Sequence, residues 1–139
     1  MPPLTRWFIK TSLAYCVCAM IVGLILMLRL SLDLPPVVGA LQPAYFHLLM
    51  LGWIAQLIFG VAYWMFPKFT AAQPRGNERL GWATYGLLNA GLLLRVIGEP
   101  LAAVQPGAGI GWVLVLSAGL QVSAGWLFVA NIWPRVKER

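Results

Sequence analysis

His47 is the single histidine in a chain of 139 residues. It falls inside a long apolar run, where an ionisable side chain is costly and marks a functional site by default. Imidazole is the side chain that most often ligates a metal. The plain alternative is an interfacial histidine bonded to a backbone carbonyl or to water. Cys16 and Cys18 offer less. They are the only cysteines, they sit within the first apolar run, and their C-x-C spacing signals neither a disulfide framework nor covalent cofactor attachment. Two small apolar residues in a helix is their simplest reading. Gln56, Asn89 and Gln121 lie deep in apolar segments, where neutral amides usually hydrogen-bond between helices. The carboxylates Asp33 and Glu99 both fall near segment ends, so a proton path or transporter built on buried carboxylates is disfavoured. Gly107, Gly109 and Gly111 follow no strand and lack a lysine, which removes nucleotide binding.

The elements that must position these residues are long apolar helices. Hydrophobic residues make up 60% of the chain and charged residues 10%, with a mean hydropathy of +0.79. Soluble domains usually carry about 25% charged residues. A helix needs ~20 apolar residues to cross a bilayer, so this length holds about four spans and no additional soluble domain. The expected architecture is an all-α, integral membrane four-helix bundle forming a single domain, with spans at about 7–28, 43–66, 80–98 and 107–133. The first apolar stretch is too long for a signal peptide, lacks a clean cleavage site and is read as retained. Pro35 and Pro36 close the first connection, and Pro43 opens span two as a first-turn proline. Pro67-Lys68 ends span two, Glu99-Pro100 breaks span three, and Trp133-Pro134 ends span four.

Charge sets the expected orientation. Arg6, Lys10, Lys68, Arg75, Arg79, Arg135, Lys137 and Arg139 fall on one side, against Arg29 and Arg95 on the other. Eight of the ten basic residues on one side places both termini and the middle loop in the cytoplasm, an N-in/C-in topology. The net charge of +6 is therefore topological. No basic stripe interleaves with aromatics, so no nucleic acid partner is expected. Trp7, Tyr45, Trp64, Trp82, Trp112 and Trp133 fall near span ends, where amphipathic rings suit the headgroup level. The pairs Ala19 and Gly23, Gly86 and Ala90, and Gly119 and Ser123 have the small-xxx-small spacing that lets helices approach in lipid. They serve packing within one bundle or a subunit interface.

The segment around His47 reads Ala-Tyr-Phe-His-Leu-Leu-Met-Leu-Gly-Trp, followed by Phe-Gly-Val-Ala-Tyr-Trp-Met-Phe-Pro. His47, Leu51-Gly52-Trp53, Gly60, Tyr63 and Phe66-Pro67 resemble the second helix of the catalytic subunit of haem-copper oxidases, in the cbb-type and nitric-oxide-reductase branch. Gly81-Trp82-Ala83 through Asn89-Ala90-Gly91 is similar to the third helix. The resemblance covers residues 40–100 or so and implies that His47 ligates a low-spin haem b. It implies only one of the family's three four-helix arcs. The copper ligands and the high-spin haem ligand have no counterpart here, so oxygen or nitric-oxide reduction by this chain alone is not expected.

Under that resemblance, one histidine per chain supplies one axial ligand. The second would come from His47 of a partner chain in a homodimer, or from Met27 at the outer end of span one. A five-coordinate haem is the third option. Arg95 and Arg29, near the outer ends of spans three and one, would meet the haem propionates. Otherwise they snorkel, or Arg95 pairs with Glu99 four residues later. Gly52 could leave room for the macrocycle. The implied role is electron transfer in a bacterial or archaeal plasma membrane, between quinol and a periplasmic partner. The competing expectation is a cofactor-free accessory subunit of a larger respiratory complex. A small transporter or channel is a third class.

Overall fold

The computed structural model describes residues 1–107 and 109–136, and these are helical wherever they are regular. Lys137 and Arg139, counted above for orientation, lie outside the described residues. Helix α1 (Pro3–Leu28) starts with proline in its first turn, where the missing N–H would have no helical partner anyway. The second membrane-length helix is a composite. A 3₁₀ turn (Pro36–Leu41) runs into α2 (Gln42–His47), then into a π-helical stretch (Leu48–Ala55), then into α3 (Gln56–Met65). Every junction residue keeps right-handed helical dihedrals, so the rod is unbroken. It stops at Phe66, which turns extended at ψ 151°, as the residue before a proline is sterically driven to do. Helix α4 (Glu78–Val104) is capped by Asn77, whose side-chain oxygen accepts from the Arg79 N–H at 3.0 Å. Helix α5 (Ile110–Ile132) follows Gly109, which holds a left-handed φ of 71°.

Among the described residues, four helices are thus long and apolar enough to cross a membrane: Pro3–Leu28, Pro36–Met65, Glu78–Val104 and Ile110–Arg135. Two boundaries differ from those read in the sequence. The second helix begins at Pro36 rather than Pro43, because Pro36 fits the first turn of the 3₁₀ segment. The third does not break at Glu99-Pro100. It carries Pro100 inside and continues to Val104. A proline removes one hydrogen bond and crowds the preceding turn. Here the end of α4 packs against the 3₁₀ turn and α2, which holds it in line.

Glycines decide how the helices meet. Helix α1 lies along the composite helix, with Phe8 filling the surface at Gly60, Tyr15 at Gly52 and Tyr45 at Gly23. A Cβ at those glycines would come within 2.7–2.9 Å of the ring-bearing side chain, too close for any real contact. Helix α5 packs along α4, with Ser117 and Gln121 against Gly91 and Leu114 against Gly98. Leu4, Phe8, Tyr63, Leu88 and Ala124 form the apolar core, extended by the stacked rings of Phe59 and Phe128 at 3.8 Å. The outer faces are apolar as well: Leu24, Ile58, Ile97, Leu116, Trp126 and many others stand exposed. Of the small-residue pairs, Ala19 and Gly23 pack internally, whereas Gly86, Ala90, Gly119 and Ser123 face outward.

At the end of the bundle holding residues 3–6, 65–79 and 132–136, Arg135 turns back from the 3₁₀ turn Trp133–Arg135. Its guanidinium donates to the carbonyls of Tyr63 (3.0 Å), Phe66 (2.7 Å) and Pro67 (3.0 Å). These include the orphan acceptors of the α3 C-terminus, where a cation also meets the negative end of the helix dipole. Arg135 was legible only as a charge that sets orientation. Nothing in its spacing announced a cap on another helix.

Candidate functional site

The opposite end of the bundle gathers four polar side chains from three helices. His47 is the last residue of α2, and its ring is held on both sides. Nδ1 lies 2.9 Å from the Pro43 carbonyl and 3.1–3.2 Å from the two Glu99 carboxylate oxygens. Nε2 lies 3.2 Å from Arg95 Nη1. Pro43 O and Glu99 are acceptors, while a guanidinium can only donate. The surroundings therefore put the proton on Nδ1 and the lone pair on Nε2.

Helix α4 supplies the partners. Arg95 and Glu99 are four residues apart, so they share a face of the helix, and Arg95 Nη1 lies 3.6 Å from Glu99 Oε1. The alternative read in the sequence for Arg95, pairing with Glu99, is thus present in the geometry. Helix α5 completes the set. Arg95 Nε donates to Ser117 Oγ at 3.3 Å, and the Ser117 hydroxyl donates onward to the Gly91 carbonyl at 2.6 Å. The order is then Glu99 to His47, His47 to Arg95, Arg95 to Ser117, and Ser117 to the α4 backbone. An open groove of about 580 Å³ beside it is lined by Gly39, Ala40, Pro43, Phe46, His47, Glu99 and Ala103. Its walls are mostly apolar, and His47 and Glu99 put charge-capable groups at its edge.

The other residues singled out by resemblance do not join this cluster. Met27 is exposed and lines an adjoining groove with Arg29 and Tyr45, sharing Gln42 and Phe46 with the groove at His47. The Arg29 guanidinium covers Gly39, where any Cβ would overlap it. Gly52 is buried, but the space over it is filled by Tyr15 and Leu92, so it serves helix packing. Asn89 behaves as an interhelical amide. It accepts from the Tyr15 hydroxyl at 2.9 Å and donates to the Tyr85 carbonyl at 2.8 Å. Gln56 departs from that expectation, since neither of its side-chain polar atoms has a partner. Ser117 and the Pro43 carbonyl were missed in the sequence. The Arg95–Glu99 spacing, at the same end as His47, was the one signal that pointed to the cluster.

Whether these residues suit a haem turns on the imidazole. A metal-ligating histidine characteristically donates its other ring N–H to a carbonyl or carboxylate, which fixes the tautomer. Pro43 O and Glu99 do this at Nδ1, leaving Nε2 with the lone pair a metal needs. Arg95 faces that lone pair, so ligation requires its guanidinium to swing away. His47 would be the residue to hold a haem iron, through Nε2, and it is the one histidine of the chain. Among the described residues no group of three or more His, Cys, Asp and Glu side chains is placed to hold a bare metal ion. Comparison with family models, with curated proteins and with solved structures gives no match for this chain.

Proposed function

We propose that this is a multi-pass membrane protein of the plasma membrane, with both termini cytoplasmic, that binds haem b through His47 and transfers electrons near the outer membrane surface. The carrying observation is the imidazole tethered at Nδ1 by Pro43 and Glu99, the setting of an axial ligand. When bound, haem supplies reversible one-electron chemistry, with a potential set by its ligands, burial and hydrogen bonds. The chain's part is to hold and orient. Glu99 and Pro43 hold the ring by Nδ1, Arg95 would be the cation for a haem carboxylate, and the mostly apolar groove beside His47 would take the apolar part of the group.

A single imidazole per chain favours a two-fold homodimer in which each copy offers its own His47, because an isologous contact brings identical residues together. Met27 lines a groove that adjoins the one at His47, with Gln42 and Phe46 common to both, so ligation by His47 and Met27 of one chain stands as the second option. A quinol donor and a periplasmic acceptor are the redox partners this placement suggests. The likeness of residues 40–100 to the haem-copper oxidase subunit is part of the same proposal.

The test is the absorption spectrum of detergent-purified protein from haem-replete cells, oxidised and reduced, for the native chain and His47→Ala. A Soret band with sharp reduced α and β bands, lost in the variant, is the expected result, with about one haem per two chains. Absence of a Soret band from the native protein sinks the proposal. One observation favours a second reading. Arg95 already occupies Nε2 at 3.2 Å, so the cluster can also serve as a clamp between α2, α4 and α5 in a cofactor-free accessory subunit. Co-purification of a stoichiometric large partner without haem would support that reading.

A further inference from the structure

The side chains most deeply buried in this bundle are not its most apolar. The largest fully buried ones are Arg135, Phe8, Leu92, Gln56, Thr5, Thr84, Ser12 and Ser117. Six of these eight are polar, while the exterior is lined with Leu, Ile, Val and Trp. Removing a hydroxyl or amide from water without a new partner is costly, and a bilayer offers no water at mid-depth. Each buried group therefore needs a partner. Ser12 donates to Ile9 O at 2.8 Å, Thr84 to Leu80 O at 2.9 Å and Ser117 to Gly91 O at 2.6 Å. Arg135 is satisfied by three carbonyls.

Two of the six are not satisfied: the Thr5 hydroxyl near the start of α1 and, deeper in the bundle, Gln56. It is wholly buried, and neither Oε1 nor Nε2 meets a protein donor or acceptor. It lies about 14 Å along the helix from Met65, at 1.5 Å per residue, and so cannot reach either surface. Phe8 seated at Gly60 and Tyr15 at Gly52 bracket it, which puts Ser12 at its level on α1. Gln56 is also the first residue after the π-helical stretch, a wider turn often found where helices make room for function. Gln121, beside Gly91 on the seam between α4 and α5, carries a second buried amide nitrogen without a partner. Ser117 and Arg95 lie one turn further along the same seam.

We propose that the bundle interior binds water at Gln56 and Gln121, forming a hydrated polar site in mid-membrane that leads toward Ser117 and Arg95. Water is the one ligand class that fits. It both donates and accepts, as the carboxamide does, and it needs the least room. An ion finds no free counter-charge here, since Arg95, one turn along the seam, is already bonded to Ser117 and His47, and Glu99 lies a further turn away beside His47. The site does not depend on what occupies the groove at His47.

Pulsed X-ray radiolysis with mass spectrometry tests it on the full chain in nanodiscs, because hydroxyl radicals made from bound water oxidise the side chains beside it. Leu88 and Leu92 are buried; Leu92 packs at Gly52, about one turn from Gln56, and Leu88 lies about one turn from Gly91, the glycine beside Gln121. They are expected to be oxidised several-fold faster than Leu48, a buried residue of the same type near His47. Rates no higher than that of Leu48 overturn the proposal. Gln56→Met keeps the volume and removes the polar atoms, and is expected to abolish the excess oxidation at Leu92 and Leu88. Unchanged oxidation in a folded variant overturns the assignment to Gln56. Should the variant not fold, the native rates decide alone.

Discussion

Ser117 shows how much one hydroxyl can hold in a bundle with few polar contacts. It accepts from Arg95 and donates to Gly91 O, so Ser117→Ala loses both bonds and frees Arg95 Nε. The expected cost is about 1–3 kcal/mol, read as a lower melting temperature in detergent, with Ser117→Thr retaining most of the stability. Glu99 plays the parallel part for His47. Its loss leaves the ring held at Nδ1 by Pro43 O alone. Under the haem proposal, Glu99→Ala lowers haem affinity by about 10–100-fold, as loss of such outer partners typically does, while Glu99→Gln keeps an acceptor and much of the affinity. Haem transfer to a competing apoprotein measures this, and equal retention by both variants would show that Glu99 does not support a ligand. His47 was legible from its rarity, and Arg95 with Glu99 from helical spacing. Ser117 was not, because a serine on an apolar helix looks the same whether it packs or bonds.

At the scale of elements, the span count was legible because hydropathy and proline placement are properties of whole segments. The π-helical stretch was not. The stretch Leu48–Ala55 packs against α1 and α4, and no residue pattern specifies its i→i+5 bonding. Its consequence is angular. An α-helix turns about 100° per residue, so a local change of pitch sets where His47 points relative to Gly52 and Gln56. Deleting Met50, which is exposed, would let the stretch relax toward α-helix and rotate His47 away from Glu99 and Arg95. Under the haem proposal, helical content by circular dichroism is expected to persist while the Soret absorption is lost. Persistence of both would show that the π turn does not aim the imidazole. The cap on α3 gives an independent check. Arg135→Met leaves the carbonyls of Tyr63, Phe66 and Pro67 without this donor, and is expected to cost about 2–3 kcal/mol with no effect at the far end of the bundle.

For the whole molecule, the question is which way the bundle faces. The end with residues 3–6, 65–79 and 132–136 carries Arg6, Lys68, Arg75, Arg79 and Arg135, and the His47 end carries Arg29 and Arg95. Two of those charges are structurally committed, Arg135 to the α3 carbonyls and Arg95 to His47 and Ser117. Setting them aside leaves the bias intact, because Arg6, Lys10, Lys68, Arg75 and Arg79 still face Arg29 alone, and short-loop cations favour the cytoplasm. Two exposed sites separate the ends: Ala71 in the loop between α3 and α4, and Ser31 after α1. In a chain with Cys16 and Cys18 replaced by alanine, Ala71→Cys is expected to react with a membrane-impermeant maleimide only after cells are opened. Ser31→Cys is expected to react in intact cells. The reverse pattern would put His47 on the cytoplasmic side and exclude a periplasmic electron acceptor, while leaving the His47–Glu99–Arg95 cluster and its haem test untouched.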